Sequence, residues 1–219
     1  MISVKTSPDA QIFPAETGYM ILLVKMDGYR PFWRRLRFPA HFTLYNLHQA
    51  IQAVTLFVDG HLHQFVDKRG HIYTPECYEE LETTLPPQMC HIEQQTFVGA
   101  VLLKIGDKIR YCYDFGDGWE FSCKLEKWEP IPEGETPRIT CVGGEKAGPV
   151  EDCGGSWEFK DLLKALAKPK PDQDDSDMQR QLPEDYDPDR FVLEEANRWL
   201  AEIDGDDCPG DEDEFGIES

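Results

Sequence analysis

No apolar run in the chain approaches the roughly 18 residues of a membrane-spanning helix, so no membrane association of that kind is expected. No two cysteines stand at C-x-x-C spacing. Cys77, Cys90, Cys112, Cys123, Cys141, Cys153 and Cys208 are scattered and odd in number. This disfavours a cysteine-ligated zinc site and a disulfide framework, and free thiols in a reducing cytoplasm are expected. Basic residues are scarce: 22 Lys and Arg stand against 42 Asp and Glu, a net charge of −20. Such a surface repels phosphate backbones, so direct nucleic-acid binding is not expected. Met1 to Gly18 lacks the basic-then-apolar pattern of a secretory signal, which again points to the cytoplasm. The chain contains no G-x-x-x-x-G-K-[ST] loop, no G-x-S-x-G elbow, no H-E-x-x-H helix and no G-x-G-x-x-G after a strand. The standard nucleotide-binding, serine-hydrolase and zinc-protease readings are therefore excluded.

What is present suffices for one folded domain. The chain has 219 residues, 40% hydrophobic and 11% aromatic, enough to bury a core without staples. Its charge is uneven. Fifteen of the 20 excess negative charges fall in residues 172–189 and 204–219. The chain thus divides into a lead-in (1–17), a domain (18–203) with an acidic linker at about 172–189, and an acidic tail (204–219). The tail reads as solvated and disordered, with a chemistry suited to a basic protein partner.

Gly18 to Met26 reads as a strand, and Phe32 to Phe38 as another. In the second, Trp33, Arg35 and Arg37 share one face and Arg34, Leu36 and Phe38 the other. Thr43 caps a helix to about Leu56 through Leu44, Leu47, Ile51 and Val54. His61 to Val66 and His71 to Thr74 form a hairpin. Residues 75–95 read as a long connection with at most one helical turn, and Thr96 as the cap of a short helix through Leu103. Lys108 to Phe115 and Trp119 to Trp128 form a second hairpin, with Ile109, Tyr111, Tyr113 and Phe115 on one face. A two-residue Asp117-Gly118 turn would set Cys112 opposite Cys123; a three-residue loop would set it opposite Ser122. The first is favoured. Residues 129–155 are rich in Gly and Pro and are read as irregular. Ser156 is expected to cap a helix through Phe159, Leu162, Leu163 and Leu166, and Leu193 to Ile203 carries the last helix. Hairpins separate from helices predict an α+β fold: an antiparallel, hairpin-rich sheet packed against a few helices, in a single domain.

Four local patterns could carry chemistry. His61 and His63 would share a strand face and could meet one ion, or serve as hydrogen-bonded structural histidines. Asp114 and Asp117, just before Trp119, could hold a hard cation, or stabilise the turn. Glu151 and Asp152 lie between glycine doublets whose freedom allows a tight loop near another element. Arg34, Arg35 and Arg37 could grip an anion, or pair with nearby acids. The acids, gathered together, would repel one another and would need a cation, an arginine or backbone donors. At least one of the three arginines is therefore expected to pair with Asp114, Asp117, Glu151 or Asp152.

Taken together, Trp33-Arg34-Arg35, Leu47-His48, His61-Leu62-His63-Gln64-Phe65, Tyr113 to Trp119, Pro149 to Gly155 and Phe191 to Leu200 resemble the plasmid pRiA Orf-three-like family. The resemblance spans about residues 18–203. It implies a compact α+β domain and an association with mobile elements, because members are often labelled TnpR-like passenger proteins of insertion elements. It implies no demonstrated reaction, and the chain has neither a serine-recombinase nor a tyrosine-recombinase pattern. Phe121 stands where the family usually has His, and Val150 where it usually has Pro. A later histidine is also absent near Pro169 to Asp172.

The functional expectation is a cytosolic, non-enzymatic binding or regulatory module with a protein partner. The alternative is a metal-dependent hydrolase or nuclease. Its divalent metal ion would be held by His61, His63, Asp114, Asp117, Glu151 and Asp152 as a mixed N/O site.

Overall fold

The computed structural model describes residues 18–75, 89–180 and 182–203. The lead-in, the acidic tail and most of the 75–95 connection lie outside the described residues. The elements run β1 (Gly18–Met26), β2 (Trp33–Pro39), α1 (Leu44–Thr55), β3 (His63–Asp67), β4 (Ile72–Thr74), β5 (Cys90–Ile92), α2 (Val98–Val101), β6 (Lys108–Tyr113), β7 (Trp119–Pro130), β8 (Thr140–Glu145), α3 (Gly155–Leu166), α4 (Gln173–Gln179) and α5 (Leu193–Leu200). A short 3-10 turn, Glu93–Gln95, follows β5. The strands form one sheet in the order β5-β4-β3-β6-β7-β1-β2-β8. Every pairing is antiparallel except β4 with β5, so the fold is α+β with a mixed sheet.

Alternation along β2, β6 and β7 separates the two faces, while the central β1 is buried at most positions. Arg34, Leu36 and Phe38 of β2 are buried, while Trp33, Arg35 and Arg37 are only partly so. The buried face continues through Leu22, Val24, Tyr111, Tyr113, Phe121 and Leu125. The other face carries ion pairs from strand to strand, such as Arg35–Glu126 at 2.8 Å and Arg37–Glu129 at 3.6 Å. A single sheet covered on one side reads as alternating sequence for this reason.

Helix α1 supplies much of the core. Thr43 and Asn46 form a reciprocal capping box, and Leu44, Leu47, Ile51 and Val54 are buried. Each such side chain contributes about 1.5–3 kcal/mol by leaving water. The helix stops at Leu56, which turns left-handed with φ 66°. Helix α5 docks on the edge strand β8, where the Asn197 side chain accepts from the Cys141 N–H (2.8 Å) and donates to the Cys141 carbonyl (2.9 Å).

Six local expectations need correction. The Gly-rich segment 129–155 contains β8, because Gly143 and Gly144 pair with Arg35 and Arg34 across an irregular register. Cys90–Ile92 is a strand because it adds parallel to β4. The short helix near Thr96 is one turn, capped at Phe97. Helix α3 begins at Gly155 with Gly154 as its cap, one residue ahead of the expected Ser156. Within the acidic linker, Asp172 and Asp175 form a capping box that starts α4. The β6–β7 hairpin differs most. Tyr113 pairs with Trp119, so Cys112 faces Glu120 and Cys123 faces Ile109. Neither expected register holds, because Asp114 leaves the strand and the loop has five residues.

Candidate functional site

Three loops meet where β3 and β6 begin and end. The first joins α1 to β3. Asp59 there adopts φ 55°, a left-handed conformation that Asp tolerates better than most residues. The second is the β6–β7 loop. Asp114 sits at φ 53°, and its Oδ1 accepts from the N–H groups of Gly116 (2.9 Å) and Asp117 (3.3 Å). The Asp114 N–H donates to the Leu62 carbonyl, which ties this loop to the first. The third is the loop before α3, with Asp152 at φ 58°.

Side chains lock the three together. Glu151 accepts from the Tyr113 hydroxyl through Oε1 and from the Val58 N–H through Oε2 at 2.8 Å. The Gly60 N–H donates to the Tyr113 oxygen at 3.0 Å. Burial, followed by the bond to Glu151, raises the Tyr113 pKa well above its usual value, so the phenol stays protonated and donates. Asp117 Oδ2 accepts from the Gly154 N–H at 3.0 Å. Its carbonyl lies so close to Gly155 that a β-carbon there would sit 2.1 Å away. Only glycine permits that approach.

His61 stands at the meeting point. Its Nε2 is 3.0 Å from Asp152 Oδ1 and 3.9 Å from Glu151 Oε1, and its Nδ1 is 3.8 Å from Asp114 Oδ2. One donor atom each from His61, Asp114 and Asp152 falls within a 4.8 Å set. Asp114 is nearly buried, whereas His61 is 35% exposed and Asp152 72% exposed, so the cluster opens to solvent. Cys153 beside it is pushed up to about 11 by burial and is no nucleophile at neutral pH.

Of the ten residues singled out in the sequence, His61, Asp114, Glu151 and Asp152 come together. Asp117 is adjacent, but one of its oxygens holds Gly154. Trp119 is core, fully buried against Phe57 and Phe159. The arginines lie elsewhere, and the expected arginine–carboxylate pair does not form. Arg35 pairs with Glu126, and Arg37 with Glu129 and Glu135. Among the described residues, Arg34 bonds only to backbone carbonyls. The reason is topological: β2 is four strands away from β3 in the sheet.

His63 also parts from His61, since β3 begins at His63 and His61 belongs to the loop. The His63 Nε2 meets both oxygens of Glu93, at 2.9 and 3.0 Å. Its ring stacks on His48, whose Nε2 is 3.0 Å from Asp59 Oδ1 but off the line of an ideal hydrogen bond. Sequence reasoning missed Asp59 and Glu93 here. Neither carries a local signature, and each gains its meaning only from a distant partner. The neighbouring bonds define the His48 tautomer. The Asp59 N–H donates to Gln52 Oε1, so the Gln52 amide nitrogen must donate to the Tyr111 oxygen. The Tyr111 hydroxyl is then free to donate to His48 Nδ1 at 2.7 Å, leaving the His48 proton on Nε2, toward Asp59. Parallel stacked rings also send their lone pairs in parallel directions, which does not suit one shared ion. His48, Asp59 and His63 are therefore a buried hydrogen-bonded network, even though their donor atoms fall within 4.8 Å.

This frame matches known proteins. The family described as plasmid pRiA4b ORF-3-like protein matches residues 19–195. The chain belongs to that family. This plasmid pRiA4b ORF-3-like protein is 31% identical over 149 residues to the uncharacterized protein y4hQ of Sinorhizobium fredii, covering 68% of this chain and 73% of that one. It is also similar to the crystal structure of MM3350 from Methanosarcina mazei, a protein of unknown function. There the TM-score is 0.69 and the identity 29%, covering 81% of this chain and 97% of that one. Among the described residues, no helix of this family member is long and apolar enough to cross a membrane.

Proposed function

We propose that this protein binds one divalent cation at His61, Asp114 and Asp152 and uses it to activate water for hydrolysis. The observation that carries this reading is the set of one imidazole and two carboxylate donors within 4.8 Å, open on one side. A mixed N/O set suits Zn, Mn or Mg, and an open position leaves room for water and substrate. The cation would lower the pKa of its water, and the resulting hydroxide would add to the scissile carbon or phosphorus while the leaving group takes a proton. Among the described residues, no Lys or Arg pairs with Asp114, Glu151 or Asp152. That lack of a cationic clamp favours an uncharged ester or amide over a nucleic acid.

A second reading keeps the cation but drops the chemistry: a cytosolic binding or regulatory module associated with mobile elements. It is favoured by Glu151, a largely shielded carboxylate beside the cluster. Both its oxygens are held by Tyr113 and Val58, so it is not free to take a proton from water. The five described cysteines are all free, which fits a cytoplasmic placement.

The test is calorimetric titration of chelator-stripped protein with Zn, Mn and Mg, followed by assay of metal-loaded protein on ester, amide and phosphodiester substrates. Saturable one-to-one binding with turnover supports the first reading. Binding without turnover supports the second. No binding tighter than about 100 μM for any of the three metals defeats both.

A further inference from the structure

Arg34 is 2% exposed, yet it has no carboxylate partner among the described residues. Its Nε–H donates to the Val54 carbonyl at the end of α1. Nη1 donates to Trp33 and Glu145, and Nη2 to Lys146. These bonds use four of the five guanidinium hydrogens. The Cζ also lies 4.3 Å from the ring centroids of both Phe32 and Phe191. Carbonyl dipoles and ring faces solvate the cation, but none carries a full negative charge. A buried charge left in this state is costly, and such groups are ordinarily paired. Burial lowers the Arg34 pKa to about 10, and the only charge couplings that oppose this come from Cys141 and Tyr186. At neutral pH the guanidinium is still fully charged.

Arg34 contributes to the wall of a cavity of about 350 Å3 between the end of α1, the loop before α3 and helix α5. That volume lies in the range of small-molecule pockets. Val54, Val150, Tyr186, Phe191 and Trp199 are among its apolar lining residues. Asp185 and Asp187 are exposed at its mouth, while Glu195 is already paired with Arg190 at 2.5 Å. An acidic mouth repels polyanions, whereas a cation without a counter-charge deep in the wall attracts a single negative group.

We infer that this cavity binds an organic monocarboxylate with an apolar or aromatic body, its carboxylate facing Arg34 and its body against Phe191, Tyr186 and Trp199. The ligand supplies the missing counter-charge and accepts from the remaining Nη2 hydrogen. Four bonds to backbone hold the guanidinium in place before the ligand arrives, so little side-chain entropy is lost on binding. The inference stands apart from the cation at His61, although Glu151 contributes to both regions.

The test is calorimetry and thermal shift with 3-phenylpropanoate and 4-phenylbutanoate, each against its neutral amide, in excess EDTA so that no metal takes part. One-to-one carboxylate binding with at least ten-fold weaker binding of the amide is expected. Arg34 is also a structural clasp, so Arg34→Lys could fail to fold. Ala53→Leu, on a half-buried cavity wall in α1, provides the second variant. It should fold with an unchanged melting temperature and lose at least ten-fold in carboxylate affinity. Equal binding of acid and amide, no saturable binding of either acid, or full affinity in a folded Ala53→Leu protein would overturn the inference.

Discussion

The imidazoles of His48 and His63 stack face to face, with centroids 3.6 Å apart and planes 5° apart, yet each turns to its own carboxylate. His48 is fully buried, which disfavours a positive charge on its ring. Burial is the largest cause holding His48 below its ordinary value of 6.5, with His63 adding to it and Asp59 opposing. The unfolded chain therefore takes up this proton first as pH falls. Stability should be lost as pH drops through 6.5 toward the folded-state value. His41, also lowered by burial, acts in the same direction. At still lower pH Asp59 adds to the loss, since its contact with His48 outweighs its own burial and holds it below 3.8. Urea midpoints at pH 7.5, 6.5 and 5.5 in EDTA should fall in that order, with a shallower slope in His48→Gln. A midpoint that rises on acidification contradicts this account.

Asp114 and Asp117 should separate cleanly as variants. Asn tolerates the left-handed backbone and can still accept from Gly116, so Asp114→Asn should fold. It removes a charged donor from the cluster and should weaken cation binding at least ten-fold. Asp117→Asn should change that affinity less than about three-fold, because its carboxylate serves Gly154. It should lower stability by about 1 kcal/mol. Titrations of the two variants with Zn and Mn decide the matter, and equal losses would show that Asp117 also faces the ion.

Glu151→Gln should cost about 1–3 kcal/mol, the range for leaving one hydrogen-bonding group without its partner. The amide can accept from Tyr113 or Val58 but not from both. For a chain of this size that is a fall of roughly 2–12 °C in Tm. A loss below 0.5 °C would mean that the three loops are held by other contacts.

The glycines offer a matched pair. Gly118 has φ 66° with nothing within 4 Å of an added β-carbon, so Gly118→Ala should cost only backbone strain, about 1–2 kcal/mol. Gly155 has φ 87°, and a β-carbon there would collide with the Asp117 carbonyl. Gly155→Ala should cost about 3 kcal/mol or more, or leave no folded protein. Denaturation midpoints that rank the two in reverse would refute the close approach.

Elements that follow from local alternation were legible in the sequence. The β2 pattern of Arg34, Leu36 and Phe38 against Trp33, Arg35 and Arg37 reads correctly, as does the Thr43 cap of α1. Elements made by pairing were not. Gly143 and Gly144 look like chain breakers until β2 lies beside them, and Cys90–Ile92 is a strand only because β4 is adjacent. In the site, Asp114, Glu151 and Asp152 announced themselves through turn chemistry and neighbouring glycines. The separation of His61 from His63 was not legible, because it depends on where β3 starts. Nor was the role of Arg34, which shares a strand with Arg35 and Arg37 but points the other way.

A sheet normally ends in a row of open backbone groups that invites another chain to add on. At Cys141 of β8 those groups are already taken, since the Asn197 amide meets both the N–H and the carbonyl. A primary amide has the same donor and acceptor as a peptide unit, so this one side chain imitates one link of a ninth strand. The sheet is thus closed to edge-to-edge polymerisation at that point by a helix residue rather than by a charge or a proline.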